Sequence, residues 1–142
     1  MARVGLGDVF NVVAAASSIT IPLTRASTVS FVTFLDAGTQ VATITELDST
    51  GVNSEQALDV TNAPHKAPGV GGSWTAMAEQ DDTLDLSTDA TNDCMVFSVH
   101  ASQLSDGYDS VECTLSSGIV MAVIHDLAEG ADPPELASNI VA

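Results

Sequence analysis

Between Asp93 and Leu127 the chain alternates so cleanly that little except β-structure can be built from it. Cys94–His100 places Met95, Phe97 and Val99 on one face and Val96, Ser98 and His100 on the other. Tyr108–Leu115 places Val111, Cys113 and Leu115 on one face and Ser110, Glu112 and Thr114 on the other. Period-two alternation over six to eight residues is the mark of a half-buried strand. Ser105-Asp106-Gly107 lies between them as turn chemistry, with glycine supplying a positive φ. Ala101-Ser102-Gln103-Leu104 reads as a short helical turn whose Leu104 dips into the core. After Ser116-Ser117-Gly118, Ile119–Leu127 is apolar on both faces until His125 and Asp126, a pair expected at the surface.

Upstream the signals are shorter and more interrupted. Val4–Val13 contains Gly5, Gly7 and Asp8 and predicts an extended arm or edge strand. Ser17–Leu23 alternates around Ile19 and Ile21, and Pro22 makes it an edge or a strand end. Thr28–Leu35 is apolar on both faces, which suits the middle of a sandwich or a subunit contact. With Val41–Leu47 it predicts a hairpin turning through Asp36-Ala37-Gly38-Thr39. Asp48-Ser49-Thr50-Gly51 is a second turn, and Gln56–Val60 a weaker strand. Thr61–Gly72 holds Pro64, Pro68, Gly69, Gly71 and Gly72, which excludes regular structure there. His65 and Lys66 at its centre belong either to a partner-contact loop or to a plain surface loop. Ser73–Glu79 reads as a strand with Trp74, Ala76 and Ala78 on one face, Trp74 being a core or interface plug. The tail after Leu127 contains Pro133 and Pro134, which bar helix and strand alike, and ends in the apolar Ile140-Val141-Ala142. That is the form of a docking tail or of a frayed terminus.

Composition narrows the function classes. Three cations face 19 acids, a formal net charge of −16. Six acids and three cations up to Lys66 leave −3, and thirteen acids with no cation after it give −13. Phosphate binding needs clustered Lys and Arg, so neither free nucleic acid nor an anionic membrane is an expected partner. No segment approaches the ~20 apolar residues of a spanning helix, and Gly5, Gly7, Asp8 and Asn11 interrupt any signal-peptide core. Self-repulsion at this charge opposes compaction at low salt, and at ~1 M salt the Debye length of ~3 Å removes most of it. A salt-loving source is therefore expected.

No catalytic, cofactor-binding or metal-ligating constellation is spelled out. Asp81–Asp93 is rich in carboxylates, which invites a calcium reading, yet the glycine and terminal glutamate of an EF-hand loop are missing, leaving a solvated acidic strand and turn. Cys94 and Cys113 both lie in strand patterns, where buried thiols are the default. A disulfide between them requires that the two strands pair in register. His65, His100 and His125 are far apart in sequence, so only folding can bring them together. No residue is accordingly read as catalytic, cofactor-binding or metal-ligating.

The run Leu104-Ser105-Asp106-Gly107-Tyr108-Asp109, followed by Val111-Glu112-Cys113-Thr114-Leu115 and a strand ending Ile124-His125-Asp126-Leu127, resembles small accessory head proteins of tailed viruses. The resemblance covers the last third of the chain, and the extreme acidity departs from ordinary phage proteins toward a halophilic host. It implies a β-sandwich, jelly-roll-like, on the outer surface of the virion head. The implied partners are the major capsid protein and copies of the chain itself, as a trimer or another oligomer. The expectation is one all-β antiparallel β-sandwich of about eight to ten strands over residues 17–128, an N-terminal arm or edge strand at 1–16, and a Pro-containing tail at 129–142. Asp106, Asp109 and Glu112 are read as solvated charges. A head-fibre or turret domain that binds a receptor or glycan is the alternative.

If the charge governs stability, the thermal midpoint will climb as NaCl is raised from low salt to ~1 M, where screening is nearly complete. A midpoint indifferent to salt would sink the idea.

Overall fold

The computed structural model describes residues 6, 10–35, 38, 40–59, 64–67, 72–77, 83–85 and 94–127. The expectations for the tail at 129–142, for Gly5 to Asp8, for the Asp36-Ala37 turn, and for most of Asp81–Asp93 lie outside the described residues.

The strands are β1 Phe10–Ala15, β2 Ser18–Pro22, β3 Ala26–Phe34, β4 Val41–Leu47, β5 Gln56–Ala57, β6 His65–Ala67, β7 Thr75–Ala76, β8 Thr83–Asp85, β9 Cys94–His100, β10 Ser110–Leu115 and β11 Ile119–Leu127. A 3-10 turn, Ala101–Gln103, follows β9. Sheet A runs β1-β11-β3-β9-β6-β7, and sheet B runs β2-β10-β4-β5 with β8 also beside β4. The described pairs within both sheets are antiparallel. The chain is an all-β sandwich. Four of its pairings are nested: β4 pairs β5, β3 pairs β9, β2 pairs β10 and β1 pairs β11. Such nesting folds an antiparallel ribbon back across itself, and β1, β2, β3 and β4 alternate between the sheets.

The alternations read from sequence point their apolar halves into the space between the sheets. Sheet A contributes Val13, Val29, Phe31, Met95, Phe97, Val99, Val120, Ala122 and Ile124, and sheet B contributes Ile19, Ile21, Ala42, Ile44, Val111, Cys113 and Leu115, all buried. Phe31 and Phe97 are directly opposed across β3 and β9, with ring centroids 5.3 Å apart and tilted by 32°. In a chain so poor in aromatics, both rings of this pair are buried, worth ~1.5–3 kcal/mol per ring.

Four expectations need correction. β3 and β4 are not a hairpin: they lie in different sheets, because the chain crosses over between them. The Thr61–Gly72 stretch is not free of regular structure, since His65–Ala67 pairs with Cys94–Val96 on the open edge of β9. Pro64 precedes that strand without breaking it, and its carbonyl accepts the Met77 N–H at 2.7 Å. Trp74 is no core plug. It is 53% exposed, beside a two-residue strand at the edge of sheet A. The default reading of the cysteines holds, since Cys94 and Cys113 are buried free thiols in separate sheets. Strand number exceeds the expectation because β5 to β8 are only two or three residues long.

The crossing of β3 to β4 and the turn from β10 to β11 meet at one end of the sandwich. Buried Gln40 stitches them, its Nε2 donating to the Phe34 carbonyl at 3.0 Å and to the Ser117 carbonyl at 2.9 Å. Gly118, at φ 88°, passes so close that a Cβ there would stand 2.2 Å from the Phe34 carbonyl oxygen and 2.4 Å from Gln40 Nε2. Gly51, at φ 72°, has open space around the same atom. Gly51→Ala should therefore cost only the ~1–3 kcal/mol of a left-handed alanine, and Gly118→Ala distinctly more, in urea titrations. Equal losses would mean that the crowding at Gly118 relaxes without cost.

Candidate functional site

At the opposite end of the sandwich, three carboxylates organise a corner. Glu46 occupies the phase of Ala42 and Ile44 on β4 and is only 1% exposed. Its Oε2 accepts the Ser105 N–H at 2.8 Å, and its Oε1 accepts the side-chain amide of Gln56. Asp48 accepts from the Thr50 and Asn53 backbone N–H groups at 2.8 and 2.9 Å, and from both side chains. Asp109 accepts the Ser49 N–H at 3.1 Å, the Ser110 hydroxyl at 2.8 Å and the Ser49 hydroxyl. The Asn53 amide donates to the Gly107 carbonyl at 3.3 Å, and the Tyr108 hydroxyl to the Ser54 carbonyl at 2.8 Å. Residues 48–56 and 105–109 are thereby zipped together.

Asp109 and Glu112 stay open to solvent and are also held by neighbours, the Glu112 carboxylate taking the Thr20 hydroxyl at 3.0 Å and the Ser18 hydroxyl at 3.3 Å. Asp106 does lie exposed in its turn. The hydroxyl of Thr50 and the amides around Asp48 favour its ionised form and hold its pKa at about 2. The Ser49 hydroxyl, then the Ser110 hydroxyl and the Ser49 amide, lower that of Asp109. Burial pushes the Cys113 thiol up to about 12, which leaves it inert as a nucleophile.

A shallow cleft of about 430 Å³ opens beside this corner, lined by Glu46, Gln56–Asp59, Gln103 and Ser105. Its one buried carboxylate is already held by Ser105 and Gln56, and its job there is to pin the corner to β4. Among the described residues no group of three or more His, Cys, Asp or Glu could hold a metal ion, and no helix is long and apolar enough to cross a membrane.

The outer faces of the two sheets differ sharply. Sheet B presents the hydroxyl row Ser18–Thr114–Thr43–Thr83 and beside it Thr20–Glu112–Thr45, with Glu112 at the centre and the Thr45 hydroxyl buried. Sheet A presents Phe10–His125–Thr28–His100, then Val12–Val123–Ser30–Ser98, then Ala14–Met121–Val32–Val96, then Ile119–Phe34 with Cys94 buried beside them. No Asp, Glu, Lys or Arg occurs in those rows. Asp126, at the margin, turns off at φ 52° and takes the Ser27 hydroxyl at 3.0 Å. Phe34 and Ile119, paired across β3 and β11, are 41% and 54% exposed.

The histidines do not converge. His125 and His100 flank Thr28, two strands apart at ~10 Å, and His65 pairs Val96 in a different row. Folding instead joins His125 to two serines that sequence reading passed over. Its Nε2 lies 2.9 Å from Ser30 Oγ, which lies 2.8 Å from Ser98 Oγ. A serine hydroxyl on an imidazole is the start of a nucleophilic site. Here, however, the surrounding N–H groups of β3 belong to the ladders with β11 and β9, leaving none to hold an oxyanion. The trio acts as a cross-strand tie. Its serines lie in the row next to that of His125, and nothing local in the sequence announces the contact, because the register is set by pairing across 95 residues.

No protein-family model matches the chain, and no curated protein matches it at a significant level.

The depressed Asp48 carboxyl makes a pH prediction. Its contribution to stability is complete above the ordinary value of 3.8 and is lost as pH falls through about 2. Asp48→Asn should melt below wild type at neutral pH, and the gap should close between pH 4 and pH 2 in melts at matched salt. A gap constant across that window would refute the role.

Proposed function

We propose that the protein is a structural component of a virus particle, one that decorates or cements the outer surface of a tailed-virus head through copies of itself and contacts with the major capsid protein. The observation that carries this reading is the division of the sandwich into two faces. One is uncharged and largely apolar on a chain of net charge −16, and the other is hydroxyl-rich around Glu112. An acidic protein keeps one face clear of carboxylates where that face is to be covered. We read the nested pairing as a jelly roll, an architecture that recurs in capsid domains and lectins. The resemblance in the Leu104–Asp109 corner supports the same reading, and in the fold that corner is the zipped, rigid end of the sandwich. The acidic surface suits a halophilic host, where high salt screens it.

A second reading, a receptor- or glycan-binding domain of a head fibre or turret, is favoured by the exposed Trp74, since sugars stack on exposed indoles. A glycan array probed at high salt separates the two, because a decorating protein gives no selective signal.

The direct test is co-sedimentation with shells of the major capsid protein from the same source, stripped of accessory proteins, at high salt. The full chain should travel with the shells. A chain lacking residues 133–142 should bind less while remaining folded. Failure of the full chain to bind would overturn the assignment.

A further inference from the structure

We infer that the outer face of sheet A is the self-association surface, and that two copies of the chain meet there face to face about a two-fold axis. This deepens the reading above and rests on it for the claim that the protein self-associates. Charge is the first argument. A basic partner would select a carboxylate-rich surface, whereas an acidic partner must be met where carboxylates are missing. A second copy is such a partner, and it requires no additional component. With the strands of sheet A carrying no charged residue in their outward rows, two chains of −16 each can approach with their fixed charges at the rim.

Self-complementarity is the second argument. A two-fold contact sets the same patch against itself. Apolar groups satisfy that condition, and so do groups that both donate and accept hydrogen bonds. The centre of the face holds the latter kind, Ser30, Ser98 and His125, with Val32 and Met121 beside them and Phe34 and Ile119 toward one end. A carboxylate can never pair with its own copy while ionised. A cyclic trimer would need two different matching patches, and the other sheet face carries Glu112 at its middle.

Size is the third. The four strands β1, β11, β3 and β9, ~4.8 Å apart and six to nine residues long at ~3.4 Å each, span ~19 by ~26 Å. That is ~500 Å² in projection and more as accessible surface, against ~800 Å² per partner in a standard interface.

The experiment is the mass of the isolated full chain by sedimentation equilibrium in ~1 M salt, where charge repulsion is screened. The chain should run at twice its 14.5 kDa. Val32→Asp, mid-face and half-buried, should raise the dimer dissociation constant ~100-fold or more. Phe34→Asp, at a more exposed site that tolerates the change in the folded monomer, should do the same, with unchanged circular dichroism reporting the fold. Thr43→Asp, on the outer face of sheet B, should leave the mass at the pair. A monomeric or trimeric wild type, a pair indifferent to both face variants, or a pair broken by Thr43→Asp would each overturn the inference. No capsid enters the measurement, so a lost pairing and a lost capsid contact are read in separate assays.

Discussion

A ribbon folded back across two sheets must cross from one sheet to the other between successive strands, and each crossing removes backbone groups from the ladders. Buried and unpaired, such groups cost ~1–3 kcal/mol each. The crossing between β3 and β4 solves this with one side chain. The amide of Gln40 gives its two hydrogens to the carbonyls of Phe34 and Ser117, tying the end of β3 to the turn that launches β11. Gly118 must lack a side chain for that amide and the Phe34 carbonyl to stand where they do. The pairing of β11 with β3, the central seam of sheet A, begins at Ile119 and Phe34, immediately beside this stitch. Both sheets are aligned from that point.

The far end is held by different chemistry. There the carboxylates of Glu46, Asp48 and Asp109 act as acceptors for amides and hydroxyls of the two connecting segments. A chain with three cations and 19 acids has few salt bridges open to it, so its acids contribute to order chiefly through hydrogen bonds to neutral donors. This gives the acidity two separable consequences. Most carboxylates add long-range repulsion that salt screens, while these few add short-range bonds that salt leaves nearly intact.

The uncharged outer face of sheet A follows from the same accounting of charge. Nineteen acids placed on a small sandwich have to be excluded deliberately from any surface that is to meet another acidic surface. The exclusion runs across four strands drawn from both ends of the sequence, and the polar groups that remain can each donate or accept. Decoration of a particle by a self-associating sandwich is a use that such a surface fits.

Legibility divided along the range of the interactions. The sequence by itself determined the strand class, the inward and outward halves of β2, β9 and β10, the edge position imposed by Pro22, and the turn at Gly107, because period-two burial and glycine's φ are local properties. It equally determined the charge. Only the tertiary structure decided that β3 and β4 part company, that Cys94 and Cys113 lie in separate sheets, that Trp74 faces outward, and that His65–Ala67 becomes a strand on the edge of β9. It alone gave the surface carboxylate of Asp109 its partners Ser49 and Ser110, and placed Glu46 inside the sandwich to receive Ser105. It alone assembled Ser30, Ser98 and His125 on a face without charge. The physical reason is common to all of these: each depends on which strand lies alongside which, and that choice is made by burial of the whole apolar set, over separations that no local pattern of residues encodes.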